Sequence, residues 1–227
     1  KNYLRLLITY QQALQTRNAI LKQLNERQQA FDVAVVEPYD IILKEHALKI
    51  ASIRQQFLQD YVPLVQKHYE LLTNGIEKVS LLYQTDCLSE DFNEKFERAF
   101  ERDVFLQRTT IGIHKDDFLF EMNQYPLKRY GSQGQQKSYL IALKLAQFEI
   151  SYHKTGTKPL LLLDDIFDKL DDKRIGQLLA LLYRQPLGQV FITDARPERS
   201  RQFFSTTHVQ WIDVEELHKD SQKPLYL

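Results

Sequence analysis

Two short stretches of the chain carry residue types that can do chemistry. Residues 160–171 read LLLLDDIFDKLD, an apolar run that ends in the paired acids Asp164 and Asp165. A dry strand that fixes carboxylates at its end suits nucleotide hydrolysis: Asp164 would orient Mg²⁺, through water, and Asp165 would orient or deprotonate an attacking water. The second stretch, GSQGQQK at 131–137, crowds two glycines, a serine and three glutamines ahead of an apolar helix. Gly131 and Gly134 let a backbone turn and approach a ligand closely, Ser132 and Gln135 supply polar contacts, and the helix that follows points its positive end at an anion. A third stretch, GQVFITD at 188–194, ends an apolar run with Thr193 and Asp194. Taken singly, each has a plain structural explanation as a strand end or a helix cap.

The elements that must position these residues differ between the two halves of the chain. From Tyr3 the apolar positions Tyr3, Leu7, Tyr10, Leu14, Leu21 and Leu24 recur at heptad spacing, with Arg17 interrupting. After a polar turn near 25–29, a second long helical pattern carries Leu43, Ile50, Phe57, Leu64 and Leu71 at intervals of seven, although the companion positions are mixed. The two predict an antiparallel helical hairpin, coiled-coil-like, or two ordinary amphipathic helices on a globular core. Pro38 suits a helix start, and Pro63 falls where it removes a hydrogen bond and kinks a helix. Beyond Asn74-Gly75 the pattern predicts a strand in IEKVSLLYQ, a charged helix over 89–103 and a hairpin over 118–130. In the remainder a helix over 135–153, a buried strand ending at Asp165, a helix over 172–183 and a second buried strand alternate. That grammar predicts a parallel α/β sheet with ligands gathered beyond the carboxyl ends of its strands.

Composition narrows the function classes. The chain has 227 residues, 43% of them hydrophobic, so it can bury a real core. Lysine plus arginine and aspartate plus glutamate each number 30, and a net charge of zero makes any nucleic-acid surface a local patch. A single cysteine, Cys87, excludes an intrachain disulfide framework and points to a reducing compartment, the cytoplasm, and both Cys87 and the lone Trp211 read as structural. The apolar runs are far shorter than the roughly 20 residues of a membrane helix, which predicts no membrane partner. The chain begins with Lys1 and holds one methionine, Met122, so it is expected to be part of a longer protein.

Read together, the stretches are more specific. DDIFDKLD has the spacing of the Walker B and D-loop segment of ATP-binding-cassette ATPases, and GSQGQQK has the layout of their signature motif. Within that superfamily the chain resembles the C-terminal portion of the RecF family, bacterial recombinational-repair ATPases. The resemblance rests on GSQGQQKSYLIALKLAQ, on LLLLDDIFDKLD, on GQVFIT, and on IGIHKDDF at 111–118, which is similar to a G-P-H-R-D-D segment of that family. It implies an ABC-type ATPase lobe over 75–227 with a mostly parallel sheet, and a helical-hairpin arm over 1–74. It further implies that Asp171 is the D-loop aspartate and that Ser132, Gly134 and Gln135 complete an ATP site on a second subunit. ATP and Mg would be the cofactors, hydrolysis slow, and the active form an ATP-dependent homodimer. The implied partners are DNA, single-stranded and gapped duplex, and recombination mediator proteins that help load recombinase at gaps. DNA-contacting residues are not identified by motif; Lys128, Arg129, His114 and Lys115 are candidates that also fit a solvated face.

Three departures bear on the mechanism. Ile113 and Lys115 replace the usual proline and arginine, and Asp194 stands where many cassette ATPases place a switch histidine, which leaves Thr193 and Asp194 as substitute sensors. No G-x-x-x-x-G-K-[ST] loop occurs in the sequence. Two alternatives stay open at this point: another ATPase of the structural-maintenance and double-strand-repair type, and a scaffold of the same fold that does not hydrolyse ATP.

Overall fold

The first helix, α1 (Asn2–Arg27), contains neither glycine nor proline and is rich in leucine, glutamine, arginine and alanine, so nothing interrupts its hydrogen-bond ladder. The computed structural model describes residues 2–27, 33–184, 187–204 and 209–214. The expected polar turn at 25–29 therefore lies partly outside the described residues, and α1 itself runs to Arg27. Helix α2 (Glu37–Thr73) starts with Pro38 in its first turn, where a missing N–H costs nothing, and ends on Asn74 in the left-handed region at φ 55°. It stays a continuous helix through Pro63, along a segment where Tyr61 Oη donates to the Leu143 carbonyl at 2.7 Å.

Arg17 meets Asp40 and Tyr3 meets Arg54, so α1 and α2 run antiparallel as expected. The seam is asymmetric. Tyr10, Leu21, Leu43 and Ile50 are buried, and at about 1.5–3 kcal/mol for each buried apolar side chain they account for much of the hairpin's hold. The second heptad series does not continue along the same face, because Phe57 and Leu71 are exposed. Beyond Phe57 the buried positions include Val65, His68, Tyr69 and Leu72, along the stretch where α2 packs on a different neighbour, α6. The hairpin also shares its core with Cys87, Phe92, Phe96 and Ile113. Burial pushes the Cys87 thiol up to about 11, which fits the structural role expected of it.

Strand β1 (Val79–Gln84) pairs antiparallel with β2 (Asp117–Met122), and β2 with the short β3 (Tyr125–Pro126). Between β1 and β2 lie α3 (Phe92–Arg98) and α4 (Phe100–Leu106), two short helices where one was expected. The hairpin predicted over 118–130 is realised only in its first part. Asn123 and Gln124, both at positive φ, make the two-residue turn, but Pro126 has no N–H for the ladder and LKRY closes into one helical turn, α5 (Leu127–Tyr130), that buries Leu127. Helix α6 (Gln133–Thr155) follows, ending on Gly156 at φ 69°. It packs antiparallel to α2: Lys154 lies over the Phe57 ring and Tyr139 meets Tyr69 with ring centroids 5.7 Å apart, while Lys67 and His68 both reach Glu149.

By backbone contacts the chain divides into two compact units, residues 1–159 and 160–227. The second holds β4 (Leu161–Leu163), α7 (Asp172–Arg184), β5 (Val190–Ile192) and α8 (Pro197–Phe203). β4 and β5 pair in parallel, with Leu163 opposite Ile192, as the alternating grammar predicts. The two strands were expected to be buried throughout, but only one face is covered. Leu161 and Leu163 are buried, whereas Leu162 is 69% and Phe191 41% exposed, since strand side chains alternate between faces.

Candidate functional site

The acid-ended strand is positioned by β4–β5 pairing. The ladder continues past the strands: Thr193 N donates to the Leu163 carbonyl at 3.0 Å, and Asp165 N donates to the Thr193 carbonyl at 3.1 Å. This brings three of the expected residues to one strand end. Thr193 Oγ1 donates to Asp164 Oδ1, while Asp165 N also reaches Thr193 Oγ1 at 3.1 Å. Both acids are exposed, and Asp165 sits at φ 45°, a left-handed conformation that costs a non-glycine residue free energy and collects at functional positions. The turn that follows is pinned from below by Ile166, Phe167 and Leu170, all buried.

Asp171 lies at the start of α7, where Oδ1 accepts from Arg174 N at 2.8 Å as a helix cap and Oδ2 lies 3.4 Å from Arg174 Nε. Asp194, in place of a histidine, is turned toward α8: Ser200 Oγ donates to Asp194 Oδ2, while buried Oδ1 has no partner among the described residues. Arg196 spans back to Asp168 at 3.3 Å, tying the loop after β5 to the turn after β4. The donor set of an exposed carboxylate and a threonine hydroxyl is oxygen-only. That suits Mg²⁺, which keeps several waters and takes further oxygens from phosphate. Among the described residues no group of three or more histidines, cysteines and acids forms a metal cage.

In the other unit, Ser132 is the N-cap of α6, at φ −62° and ψ 161°. It forms a reciprocal capping box: Gln135 N donates to Ser132 Oγ at 3.2 Å and Ser132 N donates to Gln135 Oε1 at 2.7 Å. Gln135 Nε2 continues to Glu77 at 2.8 Å, which anchors the loop to the residues just ahead of β1. Because Ser132 Oγ is used as an acceptor, its hydrogen is left to donate. The amides of Gln133 and Gly134 likewise have no partner among the described residues, as expected of a first helical turn. Gly131 was expected for a close approach to a ligand. The structure gives it a packing reason as well, for a Cβ there would lie 2.7 Å from both the Leu127 side chain and carbonyl.

The IGIHKDDF segment is used in packing. His114 Nδ1 takes the Tyr10 hydroxyl at 2.8 Å and Nε2 the Thr109 carbonyl at 2.9 Å, and a side chain on Gly112, at φ 133°, would collide with the Tyr10 hydroxyl. Lys115, Lys128 and Arg129 are exposed.

No family model matches the chain. Among curated proteins it is 46% identical over 204 residues to the DNA replication and repair protein RecF of Cytophaga hutchinsonii, covering 90% of this chain and 54% of that one. The RecF of Flavobacterium johnsoniae is 41% identical over 208 residues, covering 91% and 57%. Among solved structures, the recombination mediator protein RecF with ATPrS in the RecFOR pathway superposes with a TM-score of 0.72 at 28% identity, covering 86% of this chain and 54% of that chain. A RecF–ATP structure matches equally well, with a TM-score of 0.72 at 27% identity. Over the part it spans, the chain is similar to RecF proteins in sequence and in fold. It spans about half the length of the RecF proteins it matches. The α/β class and the ABC-type lobe with helical hairpin expected from the motifs are those of the RecF structures. Among the described residues no helix is long and apolar enough to cross a membrane.

Proposed function

We propose that the full-length protein carrying this chain is an ATP-dependent, dimerising DNA-binding ATPase of replication and recombinational repair, acting in the cytoplasm and helping to load recombinase at single-strand gaps. The observation that carries this reading is the meeting of Asp164, Asp165 and Thr193 at the carboxyl ends of β4 and β5. RecF relatives are named for DNA replication and repair, and one is solved with ATP.

Asp164, with Thr193 beside it, would hold Mg²⁺ through water, and the ion, when bound, neutralises phosphate charge. Asp165 orients the lytic water. Thr193 is the better placed sensor of the γ-phosphate, because its hydroxyl already touches Asp164, whereas Asp194 is turned to Ser200 and positions α8. Ser132 contributes its hydroxyl hydrogen, and Gln133 and Gly134 their amides, to the ATP held by a second subunit, with Gln135 fixing the loop. Asp171 communicates across that dimer by holding the start of α7. Residues 1–74 would serve as the arm and 75–227 as part of the ATPase domain. DNA, single-stranded and gapped, and recombination mediator proteins are the partners.

The test is ATP-dependent dimerisation and DNA-stimulated ATP hydrolysis of the full-length protein, with Ser132→Arg beside it. Dimers formed with ATP, and loss of both dimers and turnover in the variant, are expected. A wild type that neither dimerises nor hydrolyses ATP would leave a scaffold of the same fold.

A further inference from the structure

The aromatic residues just ahead of the signature loop are exposed in a way that core packing does not explain. Tyr125 is 61% and Tyr130 55% exposed, yet their rings meet edge to face with centroids 5.5 Å apart. Both are held rigidly. Tyr125 leaves the two-residue turn at Asn123 and Gln124 and pairs with Met122, while Tyr130 ends the helical turn that buried Leu127 anchors. The Arg129 guanidinium lies over the Tyr130 ring, 5.3 Å from its centroid. Phe118 and Phe120, on the face of β2 that carries buried Met122, are used in packing: Phe118 stacks on Tyr83 and Phe120 meets buried Tyr139 edge to face, which leaves the two tyrosines as the open pair.

Charge singles out the occupant. Neither Lys128 nor Arg129 has an ion pair among the described residues, although the protein as a whole is neutral. The acids nearest in the strand are occupied: Glu121 accepts from Ser80 and Asp117 from the Phe118 amide. Exposed ring faces beside unpaired cations suit a polymer with flat bases and regularly spaced phosphates, and stacking on such rings is indifferent to sequence. An apolar protein partner would not call for the two uncompensated cations, and a duplex hides its base faces.

We propose that Tyr125 and Tyr130, flanked by Lys128 and Arg129, form a stacking platform for single-stranded DNA. The proposal rests on the DNA-binding reading above and gives it a site. The strand lies across the tyrosines with its phosphates toward Lys128 and Arg129, immediately ahead of Ser132, so that strand binding and the ATP-facing loop share one short segment.

The experiment uses the full-length protein and a fluorescein-labelled oligo(dT) of about 20 nucleotides, long enough to cover one such site. Stacking of about 1–3 kcal/mol per base predicts that Tyr125→Ala and Tyr130→Ala each weaken binding about 5- to 150-fold, while Tyr130→Phe, which keeps the ring, binds as wild type. Changing Lys128 and Arg129 to glutamine should flatten the salt dependence by about 0.7 in log–log slope per charge. ATP-dependent dimers should persist in all of these. A double Tyr→Ala variant that binds oligo(dT) like wild type overturns the platform and leaves the DNA-binding reading standing. A wild type that binds neither oligo(dT) nor gapped duplex removes both. Loss of ATP-dependent dimers with oligo(dT) binding intact would assign the rings to the nucleotide interface and also overturn the proposal. Photocross-linking of the wild type to an oligonucleotide bearing 5-iododeoxyuridine needs no variant to fold: label within residues 118–130 is expected, and label only elsewhere overturns the assignment.

Discussion

Asp165 shows how a backbone angle can make a clean experiment. At φ 45° the residue occupies a region that asparagine tolerates nearly as well as aspartate, so Asp165→Asn removes the charge while leaving the turn in place. In the full-length protein this change is expected to lower hydrolysis by about 10²- to 10⁴-fold, the contribution usual for a positioned acid or base, and to leave ATP-dependent dimers intact. Phosphate release and light scattering measure the two separately, and undiminished turnover would take Asp165 out of the mechanism. The acid pair was legible in the sequence because an apolar run ending in two carboxylates is a local pattern. The strained angle was not, because it depends on the Thr193 carbonyl and hydroxyl arriving from β5, 28 residues away. The tyrosines of the proposed platform are not legible in the sequence for a similar reason. Their exposure depends on Pro126 ending the ladder, and only the charges beside them stand out in the sequence.

Between elements, the contact of α2 with α6 carries a titratable group. His68 is fully buried, its Nε2 meets Glu149 at 2.8 Å, and its Nδ1 has no partner among the described residues. Burial holds the His68 pKa below its ordinary value; Glu149 opposes the shift without reversing it, and the Lys67 charge adds to it. For Glu149, burial alone would raise the carboxyl, but the hydrogen bond and charge of Lys67, with those of His68, outweigh it and hold the pKa low. The neutral imidazole therefore donates from Nε2 to an ionised carboxylate. A histidine whose folded pKa is depressed binds protons more readily when unfolded, so its contribution is complete above about pH 6.5 and falls away as the pH drops below it. Urea melts of the wild type should show stability declining from about pH 7 toward 5, with a shallower decline in His68→Gln. An identical slope in the variant would show that other groups set the acid response. Heptad reading could not find this contact. It follows one partner along one seam, and α2 changes partners beyond Phe57, exchanging α1 for α6.

For the molecule as a whole, the residue that broke the heptad series proves to be a clasp. Arg17 is fully buried between α1, α2 and α4, with Nη1 bonded to Asp103 at 2.8 Å and Thr109 at 2.9 Å and Nε bonded to Asp40. Its guanidinium also lies over the Phe96 ring at 5.0 Å. Removing it leaves buried Asp103 without its cation, so Arg17→Ala is expected to cost about 3–5 kcal/mol, read as a shift in the denaturation midpoint. Restoration of most of that loss by adding Asp103→Asn would show that the stranded charge, more than the lost packing, sets the cost. The covering of the parallel pair was the least legible feature, since a row of four leucines looks the same in sequence whether one face or both are packed. One face of β4 and β5 carries Leu162 and Phe191 in the open, and among the described residues each strand has an unpaired edge. Such a surface governs colloidal behaviour: a polypeptide limited to this span would present an adhesive stripe to its own kind, and its solubility would depend on concentration, salt and temperature before any chemistry is measured.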